Sequence, residues 1–380
     1  MSTSAPEPDA DHVRAGLSAM LAGRAAVDDV ERLRPWFVFR CRVTGEGWPE
    51  TVVVKARRGT GAGRDGNAQQ LPTEQAALEF LEALGWTSSP RLLASDLPRE
   101  LLVLEDLAPR TPLSALLKER GSLAARDALQ AFARALGTLH AVTRNQEEHF
   151  DRRRRALAQL EPAVDREAHI TARCTEARDQ MRSIGAEPST GAEHELVQAL
   201  DALDGPDPFV VLSNGDPHTN NFLVAGCDGR MIDFEDAGYR HALMDAASLY
   251  VPGPLWITVG DPIASGLEDA YRAALLEGVP EAEDDTAFGS ALSAACLVSA
   301  VLRAGRFRTL DQRPTHDDSR KQLVSMLESA ARVAKAHRAL PQLCGWTQAC
   351  AQTLRRRWPD ADVDFNRYGS YAPRVRRPPT

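Results

Sequence analysis

The sequence predicts an α+β protein of two lobes, a small antiparallel β lobe followed by a larger and mainly helical one. Three observations carry that prediction. Strand-like runs separated by turn residues occupy residues 36–55 and 101–107, apolar residues at helical spacing dominate residues 193–340, and a hairpin-like segment at residues 222–232 interrupts the chain between helical stretches. A chain of 380 residues has room for two or so domains with an ample core. We divide it into an N-terminal extension (residues 1–25), a small lobe (26–107), a large lobe (108–365) and a C-terminal tail (366–380).

In the small lobe, Trp36 to Val43 alternates imperfectly like a strand, Thr44 to Pro49 is a glycine-containing turn, and Thr51-Val52-Val53-Val54-Lys55 is a second strand that ends in lysine. Only four of the chain's 45 basic residues are lysines, namely Lys55, Lys118, Lys321 and Lys335. In a chain that otherwise uses arginine, a lysine closing a β-branched run is informative. An ammonium is a compact point charge that reaches phosphate oxygens, whereas a guanidinium is a planar fork. A solvated strand end is the plainer alternative. Pro72 to Leu84 has helical apolar spacing, with Gly85 past its end and Glu74 in its first turn, where the macrodipole alone favours an acid. Ala56 to Asn67, between the lysine and that helix, is glycine-rich but lacks the lysine-hydroxyl pair and opening helix of a P-loop, so it reads as a solvated connector. Leu101 to Leu107 is an apolar strand running into acids, and Pro109 and Pro112 behind it mark a lobe boundary.

In the large lobe, Ala124 to Ala141 is long, alanine-rich and amphipathic. No metal-type residue sits at helical spacing beside His140, which reads as a packing histidine. Further helical patterns cover Glu193 to Leu203, Ser265 to Leu276, Ala287 to Ala304 and Ser319 to Leu340, with Pro252-Gly253-Pro254 breaking the chain ahead of the last three.

The hairpin-like segment carries the chemistry. Phe222 to Val224 is a short apolar strand, Gly226-Cys227-Asp228-Gly229 is strong turn chemistry, and Arg230 to Ile232 is the returning strand. Asn221 and Asp233 therefore lie at the same open end. A carboxylate and an amide oxygen held together suit hard Mg²⁺, which leaves its other positions to water and nucleotide phosphates. Asp216, five residues before Asn221, stays outside the hairpin and free to accept a hydroxyl proton. One Asp orienting a nucleophile while an Asn and a second Asp hold metal is the division of labour of phosphoryl transfer. Either half alone is an ordinary turn or strand end; the hairpin between them makes the joint pattern specific.

The run Asn214-Gly215-Asp216-Pro217-His218-Thr219-Asn220-Asn221, followed by Ile232-Asp233-Phe234-Glu235-Asp236, resembles the signature of the aminoglycoside phosphotransferase and choline kinase-like family. Asn214 departs from the family's usual His, which bears on loop bracing more than on chemistry. The likeness covers roughly residues 30–250. It implies a protein kinase-like two-lobed fold that transfers the γ-phosphoryl of ATP, with GTP as alternative, to a hydroxyl of a small molecule. It also implies that Lys55 holds nucleotide phosphates with Glu74 as its ion-pair partner, and that backbone groups of Glu105 to Leu107 meet an adenine edge. His218 is expected to stabilise the loop, and Asp245, in Met244-Asp245-Ala246-Ala247, to brace it. No glycine lies in Glu31 to Pro35, where a nucleotide-covering turn is expected. Acceptor recognition is expected from acids and aromatics such as Asp236, Tyr239, Trp256, Asp261, Tyr271, Asp285, Asp311, Asp317 and Asp318.

The formal charge of −8 speaks against a nucleic-acid partner and mildly for a cationic acceptor, which makes antibiotic inactivation the first activity to test. No run of eighteen apolar residues occurs and the start is polar and acidic, so we expect a cytoplasmic protein, monomeric or homodimeric, with no membrane partner. Six scattered cysteines show neither zinc spacing nor a disulfide framework. Asp233-Phe234-Glu235 in place of Asp-Phe-Gly, with no later Ala-Pro-Glu, disfavours a protein kinase. The rival of another class is a catalytically silent scaffold that binds nucleotide.

Overall fold

The computed structural model describes residues 8–33, 37–57, 69–158, 166–204, 208–251, 265–314 and 319–362, with 166–169 described in backbone only. The small lobe contains α1 (Ala10–Leu21), β1 (Ala25–Leu33), β2 (Val38–Gly45), β3 (Thr51–Ala56), α2 (Gln70–Ala83), β4 (Leu92–Asp96) and β5 (Leu101–Glu105). The large lobe begins with β6 (Thr111–Pro112), α3 (Leu113–Ala124), α4 (Arg126–Thr143), α5 (Glu147–Leu157), α6 (Arg166–Arg182) and α7 (Thr190–Asp204). It continues with β7 (Val210–Ser213), β8 (Phe222–Ala225), β9 (Asp228–Met231), β10 (Gly238–His241) and α8 (Ala242–Ala246). It closes with α9 (Leu267–Leu276), α10 (Asp285–Ala304), α11 (Phe307–Asp311), α12 (Ser319–Ala336) and α13 (Pro341–Arg357).

The small lobe is one antiparallel sheet of order β1-β2-β3-β5-β4. Alternation along β2 and β3 puts Phe39, Cys41, Val43, Val52 and Val54 on one face, and α1 covers that face with Val13, Leu17 and Leu21. Leu102 and Leu104 point the other way, into the core that α2 shares with the large lobe. Residues 10–21, set apart above as part of an extension, are thus core of this lobe. The cause is visible in their spacing: Val13, Leu17 and Leu21 recur every four residues, and the Asp9 side chain caps the helix by accepting from His12 N at 2.9 Å. The edge strand β1 is polar and mostly exposed, with a bulge between Val27 and Asp29, and its composition carries little β signal. Arg34, Pro35, Trp36 and most of the Ala56 to Asn67 connector lie outside the described residues.

In the large lobe, α4 crosses α9 closely at Gly137, where an added Cβ would stand 2.4 Å from Tyr271 O. Helix α10 is apolar and long enough, by length and composition, to cross a membrane, but 67% of that window is buried against other helices. The expected helix Ser319 to Leu340 ends instead at Ala336, and a new helix, α13, starts at Pro341. Proline suits a first helical position and forces the residue before it out of helical geometry; Leu340 sits at φ +48°. In α13, Arg355 pairs with Glu328 at 2.8 Å and Arg357 with Asp311 at 2.7 Å. Two small sheets, β10-β7 and β6-β8-β9, belong to the large lobe and carry the loop between β7 and β8.

Candidate active site

The hairpin forms as its residues demand, but more tightly than expected. Phe222 pairs with Met231 and Ala225 with Asp228, so Asp228 and Gly229 belong to β9 and only Gly226-Cys227 turn. Gly226 is at φ +64°, and an added Cβ on Gly229 would collide with the Phe222 ring at 2.0 Å. Ile232 N donates to Asn221 O at 2.9 Å, which places Asn221 beside Asp233 at the open end.

The loop ahead of the hairpin is fastened from behind. Asp245, buried on α8, accepts from Ser213 Oγ at 2.7 Å, and Ser213 Oγ in turn accepts from Gly215 N at 3.0 Å. His140 lies behind Asp245 at 3.4 Å and bonds Tyr271 OH at 2.9 Å, deep in the core. Asn214 is fully buried; its Nδ2 donates to Ile232 O at 3.4 Å and its Oδ1 accepts from Asp216 N at 3.2 Å. The amide thus takes up the bracing between loop and hairpin. Gly215 sits at φ +90° with Asp236 O 2.4 Å from where a Cβ would stand, so no other residue fits there unstrained.

Asp216 presents its carboxylate at the surface of the loop, nearly half exposed. Oδ2 accepts from Asn221 Nδ2 at 2.9 Å and Oδ1 lies 3.3 Å from His218 Nε2. Burial above all pulls the His218 imidazole below its ordinary pKa; Asp216 and Asp245 oppose that pull and Arg303 adds to it. A neutral His218 can donate one N–H to Asp216 and fix its rotamer.

A second group of charges meets this loop from the small lobe. Lys55 Nζ lies 2.5 Å from Glu74 Oε2, 2.6 Å from Asp233 Oδ1 and 3.5 Å from Glu235 Oε2. Burial works against the ammonium, yet Glu74, Asp233 and Glu235 outweigh it and hold the Lys55 pKa above its ordinary value. Helix α2 starts at Gln70, earlier than its sequence pattern suggested, so Glu74 lies beyond the first turn. The macrodipole therefore does not explain a carboxylate that is 1% exposed; Lys55 and the Phe234 N–H, 3.4 Å from Oε1, do. Asp233 itself sits at φ +70°, a conformation that costs most side chains about 1–3 kcal/mol and that clusters at functional sites.

Oxygens of Glu74, Asp233 and Glu235 lie within 4.8 Å of one another, an all-oxygen donor set suited to a hard divalent cation. Glu74 is sequestered, whereas Asp233 and Glu235 are about one-third exposed, at 31% and 32%, and reachable. Glu235 was not singled out as a ligand from the sequence, although its spacing two residues from Asp233 is the signal. Burial, with Asp233, Glu74 and Asp236 adding and Lys55 opposing, pushes its carboxyl up to about 7. Glu105 N is spent on Arg91 O at 2.9 Å, and the Glu105 side chain accepts from Arg91 N at 3.1 Å; Leu107 is buried, and its N–H donates no hydrogen bond among the described residues. The boundary is held by Arg40, whose guanidinium grips Asp106 through bonds of 2.8 and 3.3 Å.

Of the acceptor-side expectations, Tyr271 is core, Tyr239 OH donates to Thr143 O at 2.7 Å, Asp285 pairs with Arg272 at 2.5 Å and Asp311 with Arg357. Asp236 is exposed beside Gly215. Trp256, Asp261, Asp317 and Asp318 lie outside the described residues, as do Pro252 to Pro254 and the C-terminal tail, residues 366–380.

Residues 38–284 match the family model described as the phosphotransferase enzyme family, APH. Among solved structures, an amicoumacin kinase in complex with AMP-PNP, Ca²⁺ and Ami shares the fold at a TM-score of 0.50 and 16% identity, over 94% of this chain and 99% of that chain. A choline/ethanolamine kinase family protein from Mesorhizobium loti aligns at a TM-score of 0.47 and 17% identity, over 90% and 99% of the two chains. The AMP-bound spectinomycin phosphotransferase APH(9)-Ia aligns at 0.49 and 12%, over 85% and 98%. No curated protein matches the sequence.

Proposed function

We propose that this chain, which belongs to the APH phosphotransferase enzyme family, moves the γ-phosphoryl group of ATP, or of GTP, onto a hydroxyl of a small molecule. The observation that carries this reading is the meeting of two charge groups at one hairpin: Lys55 with Glu74, Asp233 and Glu235 on one side, Asp216 with His218 and Asn221 on the other. The complex of the amicoumacin kinase with a nucleotide analogue, Ca²⁺ and Ami supports nucleotide and divalent metal at such a site.

Lys55, positioned by Glu74, pairs with the nucleotide's phosphate oxygens. Asp233 and Asn221, with Glu235 beside them, would hold Mg²⁺, which would supply charge neutralisation at the nucleotide phosphates. Leu107 offers its N–H, and Glu105 the adjoining backbone, to the base. Asp216 accepts a hydrogen bond from the acceptor hydroxyl. The hydroxyl oxygen forms a bond to the γ-phosphorus as the bond to the bridging oxygen breaks, ADP departs with the electron pair, and the hydroxyl proton passes to Asp216. The protein's contribution is positioning and charge, with no covalent intermediate. Asp245, through Ser213, and Asn214 hold the loop in register.

A triphosphate-consuming site of this kind fits the cytoplasmic setting expected from the sequence. The overall charge made a cationic antibiotic such as an aminoglycoside the first acceptor to test, but net charge describes the whole surface, and the groups around Asp216 decide the acceptor. Incubation with Mg²⁺, ATP and a panel of hydroxylated compounds, read by mass spectrometry, tests the proposal. Phosphorylated product from the wild type and none from Asp216→Asn is expected; Mg²⁺-dependent nucleotide binding with no transfer to any member would favour the silent scaffold instead.

A further inference from the structure

The register of the small-lobe sheet decides which of its side chains look toward the site. Phe39, Cys41, Val52 and Val54 face α1, so Val38, Arg40, Thr51, Val53 and Lys55 face the other way, toward the large lobe. Arg40 stands across the strands from Val53, two residues short of Lys55, and its side chain reaches the lobe boundary. There its Nε donates to Asp106 Oδ2 at 2.8 Å and its Nη2 to Asp106 Oδ1 at 3.3 Å, while Nη1 lies 3.9 Å from Glu31 Oε2. Asp106 Oδ1 also accepts from Ala108 N at 3.0 Å.

Both oxygens of the Asp106 carboxylate are therefore occupied, and its side chain is 4% exposed. Burial pushes the Asp106 carboxyl up, but the bonds from Arg40, the Ala108 N–H and Thr51 outweigh it and hold it below its ordinary value, so the group is an anion. Asp106 lies between Glu105 and Leu107, the residues whose backbone meets the base in the proposed reaction. A free carboxylate at that place would discriminate between purines. Guanine presents the donors N1–H and N2–H₂ side by side, a match for the two oxygens of an acceptor-only group. Adenine presents one acceptor, N1, and one donor, the 6-amino group, which backbone groups can meet. With Arg40 bound, the Asp106 oxygens are already taken and a positive charge stands beside them, which disfavours guanine's donors.

We infer that Arg40 is a specificity-determining residue for the nucleotide: by capping Asp106 it withholds that carboxylate from guanine and makes ATP, not GTP, the preferred phosphoryl donor. Arg40 acts through Asp106 and is a positioning residue, remote from the reacting atoms. A plain structural tie between β2 and the lobe boundary would serve both purines alike. This rests on the phosphotransferase reading of the site, and the test separates the two.

Calorimetry of the full chain with AMP-PNP and with GMP-PNP, each in Mg²⁺, measures the preference. The wild type should bind AMP-PNP the more tightly. Arg40→Met keeps an apolar stem and removes the guanidinium, and should shift the ratio of the two affinities toward GMP-PNP by about ten- to a hundredfold, the worth of a charged hydrogen bond. Arg40→Lys keeps the charge but loses the planar fork, so it should shift the ratio the same way by less, and it carries the test should Arg40→Met not fold. Adding Asp106→Ala to whichever Arg40 variant folds should abolish the shift, because the acceptor is gone. Equal affinities or a GMP-PNP preference in the wild type would overturn the inference. So would a ratio that stays fixed in the Arg40 variants, the result of a plain tie, or a shift that survives Asp106→Ala. Failure of the wild type to bind either analogue with Mg²⁺ would instead strike the phosphotransferase reading.

Discussion

Asp233 is the residue on which most of the site's geometry turns. It occupies the left-handed region at φ +70°, where Asn and Gly are tolerated at least as well, and its carboxylate is engaged by Lys55 at 2.6 Å. Asp233→Asn keeps the backbone preference and the shape while removing the charge. We expect it to fold, with stability within about 1 kcal/mol of wild type in the absence of nucleotide, since a partly exposed pair is weak, and to lose metal-dependent nucleotide binding; calorimetry of both checks it. Asp216→Asn should lower kcat by about 10²–10⁴, the usual worth of a positioned base, with nucleotide affinity unchanged. These residues were legible in the sequence because polar side chains at the ends of short apolar runs are anomalous and their spacing has a chemical reason. Ser213 and the contacts of Asn214 were not, because they are made across the loop and no local pattern encodes them, whereas Glu235 carries its signal in its spacing from Asp233.

Among elements, helix α1 shows what a pattern reading overlooks. It is short, near a polar terminus, and carries only a narrow apolar stripe, yet Leu17 is fully buried against the small-lobe sheet. Leu17→Ala should destabilise the protein by about 2–5 kcal/mol, measurable by urea unfolding. The strands and helix that carry Lys55 and Glu74 were readable from their periodicity, whereas β1 and α13 were not: the first is a polar edge, and the second continues a helical pattern that only Pro341 divides. A buried contact between α9 and the residue that follows α12 sets a pH response. Burial tends to raise the Glu268 pKa, but His337, with Nε2 at 3.4 Å, and the bond from Tyr250 OH at 2.8 Å outweigh it, so the folded value lies below the ordinary 4.5. A depressed carboxylate contributes stability that is fully present above its unfolded pKa and is lost as pH falls through the folded one. Glu268→Gln should therefore flatten the fall of melting temperature below pH of about 4.5, as a thermal scan across acidic buffers would record.

At the scale of the molecule, the lobes are joined through the site itself. Lys55 of β3 holds Asp233, Glu74 of α2 receives the Phe234 N–H, Met231 N donates to Ser88 O at 2.7 Å, and the Arg230 guanidinium bonds the Thr87 carbonyl. Any ligand that draws Asp233 away from Lys55 must rearrange this seam, so nucleotide and metal are coupled to the relation between the lobes. The two-lobed plan was legible from the order of β-rich and helix-rich stretches; the bond from Met231 N to Ser88 O across the seam was not, because it joins distant positions that meet only in the folded protein.

The central claim, that a divalent cation and a triphosphate are held together by Lys55, Asn221 and Asp233 within reach of Asp216, is tested most directly by thermal stability in AMP-PNP with and without Mg²⁺. At a hundredfold excess over Kd, the wild type should gain about 2.7 kcal/mol by linkage, and only when both are present. Lys55→Met and Asp233→Asn should abolish that gain, while Asp216→Asn should keep it. Equal stabilisation of all four proteins, or stabilisation of the wild type that ignores Mg²⁺, would contradict the account.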